Sequence, residues 1–176
     1  MKTEIIILGV GGQGIRTLGN IISAAAFYEE KYASHWPTYG AATRGGPSIS
    51  QVIISSERID YPRCTAVDVL VAMDESLLKR YIGYLKPTGL LIADSDLVKS
   101  LPASKTVIIK KIPAARIALD MKREVLINMV MLGTMLKITD VLSQEAVVRA
   151  IESTTPPGLR EENLEALRRG MQIEMV

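Results

Sequence analysis

Residues 4–14 read Glu-Ile-Ile-Ile-Leu-Gly-Val-Gly-Gly-Gln-Gly, and this stretch decides the fold. An apolar run leads into four glycines, and a pattern typical of a helix follows directly. A strand, a glycine-rich turn and a helix in this order are the layout of a phosphate-binding loop in α/β proteins. In such a loop, Gly9 would allow a tight turn, Gly11 would admit a ligand or a second backbone, and Gly14 would let the helix pack on the strand. Free N–H groups at the start of the helix favour an anion.

Length and composition predict a single domain over residues 1–176. Apolar residues make up 48% of the chain and aromatic residues only 5%, so the core should consist of aliphatic side chains and methionine. The net charge of +2, from 21 basic and 19 acidic residues, is too balanced for a nucleic-acid-binding protein. The longest apolar stretch, residues 125–136, is too short to span a bilayer, and the N-terminal apolar run is a first strand rather than a signal peptide. We therefore expect neither a nucleic-acid nor a membrane partner.

The chain has one cysteine, Cys64, and one histidine, His35. Without a Cys-x-x-Cys pair it cannot by itself hold a four-thiolate iron–sulfur cluster or a structural zinc, so we expect no metal site. It cannot form an internal disulfide either, which favours the cytoplasm. Arg63 could lower the pKa of the neighbouring thiol, but no second histidine is available as its base. We therefore expect an inert Cys64, a packing or interface role for His35, and no catalytic residue.

Strand and helix patterns alternate along the chain. Strands are predicted at residues 4–9, 32–39, 48–56, 66–73, 90–94 and 106–112. Helices are predicted at residues 13–31, after Asp74, and at residues 114–121, 123–136, 143–151 and 161–169. Between these elements, a turn is predicted at residues 86–89 and a loop at residues 155–158, and Gly170 is predicted to end the last helix. The pattern predicts an α/β fold, a doubly wound, mostly parallel sheet flanked by helices, with a helical C-terminal part.

Ligands of doubly wound sheets bind beyond the carboxyl ends of the strands. The glycine loop, Asp74 and Asp94 follow three predicted strands and should gather at this edge. A helix-capping role is predicted for both aspartates. Asn128 lies in an apolar helix where an unpaired amide is costly, so it should bond to a neighbouring loop. The methionines around it belong to the core, namely Met129, Met131 and Met135.

A dinucleotide site is one interpretation of the glycine loop. It needs an acidic residue about 20 residues further on, at the end of the second strand, to bind the ribose. Residues 32–39 contain no acid, and Glu29 and Glu30 lie earlier, in the first helix. The missing acidic residue argues against the interpretation of the loop as an NAD or FAD site. Two alternatives therefore stay open beside it: a free-standing nucleotide-binding protein, and a structural turn that binds nothing small.

A second glycine motif occupies residues 39–48, which read Tyr-Gly-Ala-Ala-Thr-Arg-Gly-Gly-Pro-Ser. Loops on rigid α/β scaffolds often carry function. Arg44 offers a planar fork for a carboxylate or a phosphate. The alternative is a flexible crossover with a solvated arginine, and the residues alone do not decide between the two.

The order and spacing of these motifs resemble the gamma subunit of 2-oxoacid:ferredoxin oxidoreductases. The resemblance spans nearly the whole chain and rests on residues 9–14, 39–40, 44–46, the strand at 50–55, Asn128 in a methionine-rich helix ending near Gly133, and residues 162–170. The length resembles the 2-oxoglutarate type. The pyruvate, branched-chain and indolepyruvate types share the signature, so the substrate stays open at this point.

The resemblance implies a role in the oxidative decarboxylation of a 2-oxoacid to an acyl-coenzyme A, with reduction of ferredoxin. It implies alpha, beta and delta subunits as partners, which carry thiamine diphosphate and the iron–sulfur clusters, while this chain holds no cofactor alone. The gamma subunit is expected near the path of coenzyme A. The residues expected to form the cofactor-binding edge are Gly9, Gly11, Gly12, Gln13, Gly14, Arg44, Gly45 and Gly46. Trp36 and Tyr39 are expected interface anchors, and an isolated chain is expected to self-associate.

Overall fold

The computed structural model describes residues 1–40, 45–101 and 106–174. The strands are β1 (Lys2–Val10), β2 (Tyr32–Tyr39), β3 (Pro47–Ser55), β4 (Val67–Ala72), β5 (Leu85–Asp94) and β6 (Ile108–Ile112). They form a mixed six-stranded sheet in the order β2-β3-β1-β4-β5-β6.

Helices cover both faces of this sheet, as predicted. They are α1 (Ile15–Tyr28), α2 (Glu75–Tyr81), α3 (Ala114–Asp120), α4 (Ile127–Ile138), α5 (Gln144–Thr154) and α6 (Pro157–Gln172). Side chains of β1 alternate between two cores: Ile5 and Ile7 pack with α1 and the C-terminal helices, whereas Ile6 and Leu8 pack with α2. The predicted α/β class with a helical C-terminal part is therefore confirmed. None of the described helices is both long and apolar enough to cross a membrane.

The direction of the strands follows the connections between them. The described residues form five strand pairings, and the three among β1, β4, β5 and β6 are parallel. β3 runs antiparallel to both of its neighbours, β1 and β2. The short segment 40–46 joins β2 directly to β3, which requires antiparallel pairing, whereas a parallel pair needs a long crossover. The mostly parallel sheet is confirmed, with one antiparallel strand inserted beside β1.

The predicted turn at residues 86–89 was wrong, because these residues lie inside β5. Leu85 pairs with Val67, and pairing resumes where Leu90 meets Val69. The sequence Lys-Pro-Thr-Gly therefore supplies extra residues on β5 at a register shift instead of reversing the chain. Proline and glycine in a strand often mark such an irregularity, which local composition does not distinguish from a turn.

The predicted helix stop at Gly170 was also wrong, because α6 continues through it to Gln172. A Cβ atom at Gly170 would overlap the backbone carbonyl of Val130 in α4. In the same way, a Cβ atom at Gly133 would overlap the carbonyl of Leu167 in α6. The two glycines thus bring the backbones of α4 and α6 into contact, and Gly170 serves packing rather than termination.

Three helices begin two or more residues away from their predicted starts. α1 begins at Ile15 rather than residue 13, because Gly12 and Gly14 have positive φ angles that a right-handed helix excludes. α4 begins at Ile127, after a short 3₁₀ turn at Glu124–Leu126. α6 begins at Pro157, so the predicted loop at residues 155–158 is only two residues long. Proline fits the first turn of a helix, where its missing N–H costs nothing.

Candidate functional site

The glycine loop joins the carboxyl end of β1 to α1, as predicted. Gly12 and Gly14 adopt left-handed backbone conformations, with φ angles of 105° and 70°. The Gln13 side chain folds back over the loop: its Oε1 accepts a hydrogen bond from Val10 N at 2.8 Å, and its Nε2 lies 3.5 Å from Met73 O. Gln13 therefore fixes the shape of the loop, whereas sequence reasoning had placed it only as a ligand contact.

Gly9 has a different role from the one predicted. It lies within β1 rather than in a tight turn. A Cβ atom at this position would overlap Gln13 Oε1 and the side chain of Ile15. Gly9 thus leaves the space in which Gln13 folds back and α1 approaches the sheet.

The two glycine motifs meet through their backbones. Gly11 N donates to Gly46 O at 2.8 Å, and Gly45 N donates to Gly11 O at 3.3 Å. The expectation that Gly11 admits a second backbone is therefore confirmed. Arg44 lies outside the described residues, but its neighbour Gly45 is placed directly beside the first loop. The sequence separated these motifs by about 30 residues, and the β1–β3 pairing brings them together.

Asn128 supports the loop from α4, and its predicted bond to a neighbouring loop is confirmed. The side chain is buried, and its Nδ2 donates to Gly14 O at 3.1 Å. Its Oδ1 accepts from Met129 N at 2.7 Å. A Cβ atom at Gly14 would overlap Asn128 Nδ2, so only glycine fits at the start of α1. Asn128 contacts this first loop, and its methionine neighbours lie in the core as predicted.

Of the two aspartates at the same edge, Asp74 caps α2 as predicted, whereas Asp94 is followed by a turn instead of a helix and binds this turn and the first turn of α3. Asp74 Oδ1 accepts from Leu77 N at 2.8 Å at the start of α2. Asp94 is fully buried and accepts three backbone N–H groups, from Asp96 and Leu97 at 2.9 Å and from Ala115 at 2.7 Å. These carboxylates are committed to structure. Within residues 1–40, 45–101 and 106–174, no group of His, Cys, Asp or Glu side chains could hold a metal ion.

A cavity of about 470 Å³ lies against the glycine loop. It is lined by loop residues 10–13, by an apolar wall of Leu97, Leu119 and Ile127, and by Glu124. Leu119 is 60% exposed. Sequence reasoning missed this wall, because it is assembled from three separate segments whose local patterns carry no shared signal. The cavity combines exposed glycine backbone with apolar surface.

The hypothesis that Arg63 activates the Cys64 thiol is wrong. The Arg63 guanidinium lies over the Trp36 ring, 4.7 Å from its centroid. Burial, and next the nearby Glu4 carboxylate, raise the pKa of Cys64 to about 12. The thiol contacts the backbone oxygens of Ile5 and Val52 at 3.6 and 3.7 Å. Burial and a raised pKa both favour the expected inert Cys64, since the thiolate is the reactive form.

We accordingly expect Cys64 to resist thiol reagents. At pH 8, Ellman's reagent should modify the folded chain at least about 100-fold more slowly than the chain in guanidinium chloride, because the thiol is both buried and protonated. The absorbance of the released thiolate measures both rates. Modification rates within about tenfold of each other would contradict the burial of this thiol.

His35 packs between β2 and α1, as predicted. Its Nε2 lies 2.9 Å from Ser50 Oγ and its Nδ1 lies 3.0 Å from Asn20 Oδ1. Burial, and then the Arg16 charge, lower the pKa of His35, which favours a neutral ring. The order Ser–His–Asn resembles a nucleophile with its base, but Ser50 is fully buried and its hydroxyl donates to Ile15 O at 3.1 Å. The network is therefore structural.

Comparison with known proteins places the chain in a family. The family model for pyruvate ferredoxin/flavodoxin oxidoreductase matches residues 4–173. The 2-oxoglutarate synthase subunit KorC of Methanocaldococcus jannaschii is 38% identical over 176 residues, which cover 98% of this chain and 94% of that protein.

Two solved structures share the fold. The gamma subunit of keto/oxoacid ferredoxin oxidoreductase from Geobacter sulfurreducens has a TM-score of 0.87 and 36% identity, covering 98% of this chain and 95% of that one. The 2-oxoglutarate:ferredoxin oxidoreductase from Magnetococcus marinus, with 2-oxoglutarate, coenzyme A and succinyl-CoA bound, has a TM-score of 0.85 and 25% identity, covering 97% of this chain and 30% of that one. This chain therefore belongs to the pyruvate ferredoxin/flavodoxin oxidoreductase family, as a gamma-type subunit of a 2-oxoacid:ferredoxin oxidoreductase.

Proposed function

We propose that this chain works in a complex that oxidatively decarboxylates 2-oxoglutarate, forms succinyl-CoA and reduces ferredoxin. The assignment of 2-oxoglutarate as the substrate rests on the 38% identity to a 2-oxoglutarate synthase subunit over nearly the full length of both chains. The Magnetococcus structure supports it, because that related enzyme holds 2-oxoglutarate and succinyl-CoA. Residues 1–176 act as one gamma-type domain, and the complex is cytoplasmic.

The redox cofactors belong to other subunits in this proposal. An iron–sulfur cluster needs several accessible thiolates, and the single cysteine of this chain is buried with a raised pKa. The residues present therefore do not fit a cluster. Thiamine diphosphate and the clusters are assigned to alpha, beta and delta subunits, which are the partners of this chain and pass electrons to ferredoxin.

The paired glycine motifs form the edge that faces coenzyme A in this proposal. Support comes from the hydrogen bonds that join Gly11 to Gly45 and Gly46, the two residues that follow Arg44 in the sequence. The backbone N–H groups at the start of α1 favour an anionic group, and no side chain caps that first turn among the described residues. Gly12 leaves open space for close approach of a ligand. Arg44 would supply a fixed positive fork for a phosphate.

Substitution of Arg44 tests directly whether this edge faces coenzyme A. The Arg44→Ala variant should raise the KM for coenzyme A about tenfold or more in the assembled complex, because a charge-assisted hydrogen bond is worth roughly 1.5–3 kcal/mol. The KM for the 2-oxoacid and the melting temperature of the chain should stay unchanged. Arg58→Ala, at an exposed position on the connector between β3 and β4, is the matched control. Unchanged coenzyme A kinetics in assembled Arg44→Ala complex would contradict the arginine assignment.

Affinity purification from the native cells tests the partners. We expect this chain to co-purify with thiamine-diphosphate-binding and iron–sulfur subunits, identified by mass spectrometry. Recovery of the chain alone with a bound nucleotide would instead favour a free-standing nucleotide-binding protein. A thermal-shift screen of the isolated chain with NAD, FAD, ATP and coenzyme A separates these cases further, since a ligand that binds only the folded state raises the melting temperature.

A further inference from the structure

Within the described part of the chain, one half of the sheet is thinly covered on the face opposite α1. Along β2 and β3, residues on the α1 side are buried, as Val52 and Ile54 show. On the other side, Trp36 pairs with Gln51 across the two strands, and Trp36 is 39% exposed. The connector between β3 and β4 lies over only part of this face, where Ser34 Oγ donates to Pro62 O at 3.1 Å.

Aromatic side chains concentrate at this uncovered part. The chain has one Trp, six Tyr and one Phe, yet Trp36 and three of the tyrosines line a single cavity of about 610 Å³. Tyr61 and Tyr84 are 57% and 47% exposed, and Tyr81 stacks on Tyr84 with ring centroids 5.7 Å apart. Exposed aromatic residues around one depression are typical of a protein interface, where they act as anchors. Tyr39, the other expected anchor, has a side chain outside those described.

The positive charge of this surface favours a partner that carries a carboxylate. Arg63 lies over Trp36 at 4.7 Å, and Arg80 lies over Tyr81 at 6.0 Å. Neither guanidinium forms a hydrogen bond or an ion pair with a residue in the described part of the chain. Among the described residues that line the cavity, none is acidic. Stacking holds each guanidinium in place while its N–H groups stay available to a carboxylate.

We propose that the aromatic face, defined as Trp36, Tyr61, Arg63, Tyr81 and Tyr84, is the docking surface for another subunit of the oxidoreductase. The contacting segment of that subunit presents a carboxylate to Arg63 and apolar side chains to the rings. Charge complementarity and aromatic anchors make this face fit a protein partner. The inference rests on the proposed function, since it takes the other subunits of the complex as the partner.

A second arginine–aromatic pair supplies a matched control. At the far end of α1, Arg149 lies over the Tyr28 ring at 4.4 Å, beside Phe27, which is 76% exposed. This pair has the same chemistry as the pair of Arg63 and Trp36 but lies at another place on the molecule. Substitution there reports on general charge effects without touching the aromatic face.

The experiment measures binding of this chain to the other subunits, co-expressed and purified without it, by biolayer interferometry. Arg63→Glu should raise the Kd at least tenfold, and Arg149→Glu should leave it within twofold. Trp36→Ala should also raise the Kd at least tenfold. If Trp36→Ala fails to fold, Arg63→Glu still tests the surface, because Arg63 is exposed and its substitution should not disturb the fold. Salt should weaken binding of the wild-type chain more than binding of Arg63→Glu.

Two results would overturn the proposal, and they differ from failure of the proposed function. If folded Arg63→Glu and Trp36→Ala bind within twofold of the wild-type chain, the aromatic face is not the docking surface. The same conclusion follows if Arg149→Glu weakens binding as much as Arg63→Glu. If the wild-type chain itself does not bind the other subunits, the proposed function fails, and the docking surface fails with it.

Discussion

Replacing Asp94 with alanine is expected to lower the free energy of unfolding by about 3–5 kcal/mol. The buried carboxylate accepts the backbone N–H groups of Asp96, Leu97 and Ala115, and hydrogen bonds to a charged group contribute about 1.5–3 kcal/mol each, not additively. Without the carboxylate these donors lose their partner at the junction of β5 and α3. Asp94→Asn should recover only part of the loss, because an amide nitrogen would face one of the donors. Urea denaturation measures the change.

Asp96→Ala is the control for Asp94, two residues away. Asp96 is partly exposed and pairs with Arg116 at 3.0 Å and with Lys99 at 3.7 Å. Exposed ion pairs contribute about 0–1 kcal/mol, so this variant should lose less than about 1 kcal/mol. A loss below about 1 kcal/mol for Asp94→Ala, or equal losses at both positions, would contradict the structural role of Asp94.

Replacing Gly170 with alanine is expected to lower the free energy of unfolding by about 2 kcal/mol. The added Cβ atom would overlap the Val130 carbonyl, and forcing an extra group into a packed contact costs about 1–3 kcal/mol or more. The better helix propensity of alanine offsets about 1 kcal/mol of this cost. In a chain of this length, the melting temperature should fall by roughly 4–8 °C. Differential scanning calorimetry measures the shift.

Gly158→Ala provides the matched control in the same helix. Gly158 lies in the first turn of α6, and a Cβ atom there would meet nothing within 4 Å. This variant should therefore be neutral or stabilised by up to about 1 kcal/mol. If Gly170→Ala were as stable as Gly158→Ala, the close contact between α4 and α6 would not constrain the packing as described.

The features that the sequence predicts well are those encoded by neighbouring residues. The apolar run of β1, the Asp74 cap and the glycine loop each depend on a few consecutive positions. The capping role of Asp74 followed from the preference for aspartate just before a helix, and the bond from Asn128 to a loop followed from the cost of an unpaired amide. The α/β class followed from the alternation of such local patterns.

The features that the sequence did not predict depend on contacts between distant segments. Gly170 resembles a helix stop until Val130 is placed against it. Residues 86–89 resemble a turn until the register with β4 is known. The wall formed by Leu97 and Leu119 at the glycine loop comes from separate segments, and no local pattern connects them. Close approach, register and cavity shape are properties of pairs of segments, which one segment does not specify.

The most direct test of the proposed function is the activity of the complex assembled with and without this chain. The rate of ferredoxin reduction is measured with coenzyme A and either 2-oxoglutarate, pyruvate or a branched-chain 2-oxoacid. We predict that activity requires this chain and that kcat/KM for 2-oxoglutarate exceeds the other values at least tenfold. Full activity without the chain would contradict its role as a required subunit. An equal or higher kcat/KM for pyruvate would contradict the proposed substrate.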